Sequence, residues 1–341
     1  MTGGYAMKCF WWSALIFIAG CSSPYQFSND IGSFGTGADA VSSAYITGYR
    51  NLANDHQTYQ ALIFADTSAK IKLADSCAPG QVGALPCDFM INRQGEPQPS
   101  PPDPAVETNR KGTLDALKVL TDYAHALQAV TNAADRAAFN SAAARLNASV
   151  TALGKAAGPQ GAAASAAFSA GFNIFAWVFG QALDQQRFDT LKQAVNLAAG
   201  PEQLVAPGQW VCPEHSFCPV RSVASGLEIL LGLVSQARQQ VLYDTTKELI
   251  KPLGPGYKNY MPRLATANQT KALLAQLEQA KPSQVTDALV KAHNALRDAV
   301  NDPEQSFSNF ATEVGQFAGL AEALKNALTT PAKTPPTTPG S

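Results

Sequence analysis

Residues 306–328, SFSNFATEVGQFAGLAEALKNAL, carry the reading on which the fold turns. Phe307, Phe310, Val314, Phe317, Ala321, Leu324 and Leu328 follow one another at alternating steps of three and four. That spacing places them on one face of an α-helix, whereas a strand would send neighbouring positions to opposite faces. Sustained over three heptads, the stripe is too long to leave in water and predicts an internal seam of a helical bundle.

Working back along the chain, the same rhythm returns. It places Val285, Leu289, Ala292, Leu296 and Val300 on one helix, and Val223, Leu227, Leu230, Val234, Ala237 and Val241 on another. Further stripes are Phe188, Leu191, Val195 and Ala198; Leu114, Leu117, Leu120, Ala124 and Leu127; and Val41, Tyr45, Leu52, Tyr59 and Ile63. The expected helices run over about 38–75, 105–131, 135–153, 162–199, 223–251, 262–280, 283–300 and 307–328. Proline and glycine punctuate them at Pro97–Pro104, Gly158–Gly161, Gly200-Pro201, Pro252–Gly256 and Pro282. No segment alternates as a strand between hairpin signals. The 58 alanines among 341 residues allow helices to approach closely. The predicted fold is all-α: an elongated antiparallel multi-helix bundle with Pro/Gly loops and two small disulfide-clipped loops.

Charge narrows the range of partners. With 25 Lys and Arg against 26 Asp and Glu, the chain has no basic excess to displace counterions from phosphates, which excludes nucleic acid as a partner.

The N-terminus reads as an address. Lys8 precedes the apolar run Cys9–Ile18, which is too short for a permanent transmembrane helix and suits a signal-peptide core. The following Ile18-Ala19-Gly20-Cys21 resembles the lipobox of bacterial lipoproteins. The resemblance implies cleavage before Cys21, lipidation of its thiol and attachment to a membrane through several acyl chains. Ser22 after the cysteine implies the outer membrane in a Gram-negative host. The ectodomain is similar in composition to Ala-rich helical lipoproteins of unassigned function. The expected organisation is a signal peptide over 1–20, a flexible tether over 21–37, a helical bundle over 38–329 and a disordered Pro/Thr-rich tail over 330–341.

Once Cys9 leaves with the signal and Cys21 carries lipid, Cys77, Cys87, Cys212 and Cys218 remain. Four cysteines allow three connectivities, of which local pairing, Cys77 with Cys87 and Cys212 with Cys218, is the simplest. Both intervening stretches are turn formers. The spacing around His215 fits neither a C-x-x-C redox motif nor a zinc finger.

Two further features bear on function. No charge falls between Lys155 and Asp184, and residues 162–180 there are long enough to cross a bilayer. Alanine, Ser165, Ser169 and Asn173 dilute that signal, so burial in the bundle is the primary reading and membrane insertion the alternative. His56, His125, His215 and His293 lie far apart, and no metalloprotease, hydrolase or phosphate-loop motif is present. Arg187 between Asp184 and Asp189 reads as local ion pairing on a solvated face. The expectation is a non-enzymatic, lipid-anchored envelope protein without a cofactor, acting on an envelope protein partner. An enzyme with a site dispersed over distant helices is the third reading.

Overall fold

A computed structural model describes residues 25–66, 70–73, 89–92, 104–156, 183–206, 209–214, 216–251 and 260–333. Eight helices are found among them. They are α1 (Tyr25–Asp66), α2 (Pro104–Thr131), α3 (Arg136–Ala156), α4 (Leu183–Ala199), α5 (Pro219–Ile250), α6 (Tyr260–Gln279), α7 (Pro282–Asn301) and α8 (Pro303–Thr329). Two antiparallel hairpins interrupt them: β1 (Lys70–Leu73) with β2 (Phe89–Asn92), and β3 (Gln203–Ala206) with β4 (Gln209–Val211). The helical bundle is therefore as expected. The hairpins were not, because strands of three or four residues are too short to show alternation.

The stripe on α8 is buried. Phe310, Val314, Phe317, Ala321, Leu324 and Leu328 are all core residues, and Phe307 packs at its edge. The surface that covers them is α1, which presents Phe27, Ile31, Phe34, Ala38, Val41, Tyr45 and Gly48 at the same three-four spacing. Phe27 meets Phe307 edge-on at 5.4 Å between ring centroids, Phe34 meets Phe317 at 5.5 Å, and Asn51 reaches the Leu328 carbonyl at 3.1 Å. Partners ascend together in both helices, so α1 and α8 run parallel. Against α2 the order reverses: Ser28 bonds to Asn132 at 2.5 Å and Asp39 to His125 at 2.9 Å. α1 and α2 are thus antiparallel, while α1 and α8, the first and last described helices, lie side by side in the same direction.

This seam corrects the expected tether. Residues 25–37 open α1 and bury Phe27, Ile31 and Phe34 completely. The glycines that gave the stretch a linker composition are packing positions. A Cβ on Gly37 would lie 2.5 Å from Cε1 of Phe317, so only glycine admits that ring. α1 also ends at Asp66, short of the expected 75, and β1 follows. At the other end, Thr330–Lys333 belong to the described structure, so the expected tail loses its first four residues to the fold.

On α5 the buried stripe departs from the expected one. After Leu227 it continues through Leu231, Val234, Arg238, Leu242, Thr245 and Leu249, leaving Ala237 exposed. Two polar residues stand in this seam, which is why apolar periodicity drifted off it. The stripes of α4 and α7 are buried as read, apart from the half-buried Phe188. α4 stops at Gly200, whose φ of 74° is the left-handed conformation that ends many helices; a Cβ there would meet the Phe217 carbonyl at 2.7 Å. Residues 162–180 lie outside the described structure. No described helix is long and apolar enough to cross a membrane.

The glycine reading makes opposite predictions at two positions. Gly37→Ala is expected to destabilise the fold by about 1–3 kcal/mol through overpacking against Phe317. Gly319→Ala, on open surface of the same bundle, is expected to stabilise it by about 0.5–1 kcal/mol through helix propensity. Urea denaturation measures both; equal signs would contradict the packing role of Gly37.

Candidate functional site

Polar residues buried in an apolar bundle must find partners, so they mark where the structure does something specific. Three such groupings stand out.

The first joins α1, α5 and α8. Arg238 is fully buried and donates from Nε to Asp55 Oδ2 at 2.7 Å. Its two terminal nitrogens donate to the carbonyls of Leu328 at 2.6 Å and Thr330 at 2.5 Å, with Ala327 at 3.1 Å. Asn51 adds bonds to the carbonyls of Leu328 and Thr329. These are the carbonyls that a helix C-terminus leaves unpaired, and a cation there also meets the negative end of the helix dipole. Burial pushes the Asp55 carboxyl above its usual range, while Arg238 and the Ala332 N–H pull it back.

The second fastens the β3–β4 hairpin to α7. The Arg297 guanidinium lies 4.0 Å over the Trp210 ring, and the indole N–H donates to Asp298 Oδ1 at 3.2 Å. Arg221 bonds from Nε to buried Glu202 at 2.8 Å and from a terminal nitrogen to the Trp210 carbonyl at 2.8 Å. Arg297 also donates to Asn196 of α4 at 3.1 Å. Burial lowers the Arg297 pKa against the opposing pull of Glu202 and Asp298, and burial raises that of Asp298 against its Trp210 bond. Cys212 and Cys218 form a disulfide between this hairpin and the start of α5, with Cα atoms 6.1 Å apart.

The third is a pair. Tyr123 of α2 and His293 of α7, both fully enclosed, meet at 3.0 Å between the hydroxyl and Nε2. With Tyr123 donating, the neutral ring carries its proton on Nδ1, which has no hydrogen-bond partner. Burial, helped by the Arg297 charge, pushes the His293 pKa down to about 3. Burial also raises that of Tyr123.

The other sequence candidates are scattered. His125 sits on the surface with Asp39, at the rim of a groove of about 460 Å³ between α2 and α3. Asp122 and Arg145 border the same groove, and its floor includes Ala126, Ala129 and Ser149. Arg187 does pair with Asp184, at 2.6 Å, but on a buried side chain that also donates to the Ala133 carbonyl; the solvated-face reading of Arg187 is corrected accordingly. It is buried because it bonds into the turn between α2 and α3, at the Ala133 carbonyl, rather than facing water. Cys21, Cys77, Cys87 and His215 lie outside the described residues. Among the described residues, no three His, Cys, Asp or Glu side chains are grouped to hold a metal ion.

The groupings bring together residues that sequence reading did not single out: Asp55, Arg238, Glu202, Trp210 and Arg297. Only Arg238 left a usable trace, as a charge at a heptad position between Val234 and Leu242. The chain matches no family model, no curated protein and no solved structure.

The His293 environment fixes a pH dependence. In the unfolded chain histidine takes up a proton below about pH 6.5, but in the fold only below about pH 3. Between these values the unfolded state binds more protons, so stability falls as the pH falls, by up to about 1.4 kcal/mol per pH unit. His293→Gln is expected to remove this slope from urea-denaturation profiles between pH 6.5 and 3. Parallel profiles for the two proteins would overturn the assignment.

Proposed function

We propose that this chain is a lipid-anchored cell-envelope protein of non-enzymatic, structural or interaction type, presenting a helical bundle to the periplasm from the outer membrane of a Gram-negative cell. The observation that carries this reading is the order of Lys8, the apolar run and Ile18-Ala19-Gly20-Cys21, which resembles a lipoprotein signal. The Cys212–Cys218 disulfide supports it, since such bonds persist in oxidising compartments. α1 starts at Tyr25, so only residues 22–24 separate the anchoring cysteine from packed helix. An acylated Cys21 would therefore hold the base of α1 close to the lipid surface, with the bundle as a rigid body rather than on a long leash.

The buried groupings suit a scaffold. The Arg238 and Trp210 clusters fasten helix ends and a hairpin, and each of their charges faces an internal partner. The bundle offers a firm surface to another envelope component, and membrane attachment comes from the acyl chains.

Expression of the full chain in a Gram-negative host with a clickable fatty acid tests the proposal. The mature protein is expected to begin at Cys21, to carry label and to fractionate with the outer membrane, and Cys21→Ala is expected to lose the label and leave the membrane fraction. An unlabelled protein cleaved at another residue would overturn it.

A further inference from the structure

Helix α5 has a second heptad stripe, on the side away from its core. Ile229, Leu233, Tyr243 and Ile250 are 65%, 57%, 58% and 50% exposed. They account for four of the nine large apolar side chains exposed among the described residues. Exposed Gln236, Gln240 and Lys247 complete the three-four spacing from 229 to 250. The face is open: a Cβ on Gly232 would meet nothing within 4 Å, and a groove of about 670 Å³ runs beside Leu233, Gln240 and Tyr243 towards Leu274 of α6.

The stripe has isoleucine at both ends, Ile229 and Ile250, and Gln240 at its centre. Between them stand Leu233 and Gln236 on one side and Tyr243 and Lys247 on the other. We propose that this face of α5 pairs with the same face of a second copy of the chain, antiparallel about a twofold axis at Gln240. Under that symmetry Ile229 meets Ile250 of the other copy, Gln236 meets Tyr243, and Gln240 meets its own equivalent. Leu233 lies against the aliphatic stem of Lys247.

The charges select the direction. Glu228 is exposed beside the stripe and makes no ion pair among the described residues, while Lys251 stands exposed at the other end, 3.5 Å from Glu248. Antiparallel pairing sets Glu228 opposite Lys251 of the other copy at both ends of the contact. Parallel pairing would stack Glu228 on Glu228 and Lys247 on Lys247, two repulsive contacts. A twofold contact of this kind buries one patch against itself and closes, which yields a dimer rather than a filament.

The test uses the full chain in detergent, with sedimentation to read its oligomeric state and mass spectrometry to identify cross-linked peptides. The wild-type chain is expected to be dimeric. Gln240→Cys is expected to form a disulfide with its own equivalent under mild oxidation. Ile229→Cys is expected not to cross-link to itself, since the two sites lie about 30 Å apart across the twofold, but to cross-link when mixed with Ile250→Cys. Ile229→Asp is expected to weaken dimerisation about tenfold or more, with an unchanged circular dichroism spectrum because the site is on the surface. Lys251→Glu should weaken dimerisation and Glu228→Lys added to it should restore it. A monomer at every concentration, a dimer indifferent to Ile229→Asp, self-linking at Ile229→Cys, or no rescue by charge exchange would each overturn the proposal.

Discussion

A guanidinium shut away from water has to place its N–H donors on protein acceptors, and Arg238 does so by gripping three helices at once. Its carboxylate partner comes from α1, its carbonyl partners from the end of α8, and its own backbone from α5. Taking a charged pair out of water costs several kcal/mol per ion, and the cost is tolerable only where geometry and extra hydrogen bonds are good. Here Asp55 takes a second bond from the Ala332 N–H, and Asn51 shares the α8 carbonyls. The pair is therefore better understood as fixing a unique arrangement than as a net source of stability. It specifies which helices end together and at what height.

That constraint explains the path of the chain. α1 and α8 are parallel and share the longest apolar seam, so the first and last described helices close the core together. The ring of Phe317 enters a space that exists only because residue 37 is glycine. At the same end as the Arg238 cluster, Thr330 and Ala332 are held by hydrogen bonds, which draws the first residues after α8 into the fold. The β3–β4 hairpin is fastened separately, by the Trp210–Arg297 contact and the Cys212–Cys218 disulfide.

Most of the helical architecture was legible, because apolar side chains at three-four spacing report directly on burial. The stripes of α7 and α8 are buried as read, with only Phe307 at the edge. Composition misled where it stood in for periodicity: Gly32, Gly35 and Gly37 suggested a tether, although Phe27, Ile31 and Phe34 already carried the helical rhythm. On α5 the seam was misplaced at Ala237 because the true position, Arg238, is charged. Its partner Asp55 lies 183 positions earlier, and nothing local announces such a pair. The Trp210 cluster draws on α4, a hairpin, α5 and α7, so its residues become neighbours only after folding. The proposed anchor rests on the other kind of information, a short motif read in order, and the proposed self-pairing of α5 depends on knowing which of its two stripes is already covered.

The central claim is that α1 and α8, locked by Arg238, form one cooperative core. Native-state hydrogen exchange tests it most directly. Amides of residues 31–48 and 314–328 should exchange in a single slowest class, with the free energy of global unfolding. Exchange of α8 in its own lower-energy opening, while α1 stays protected, would contradict the account.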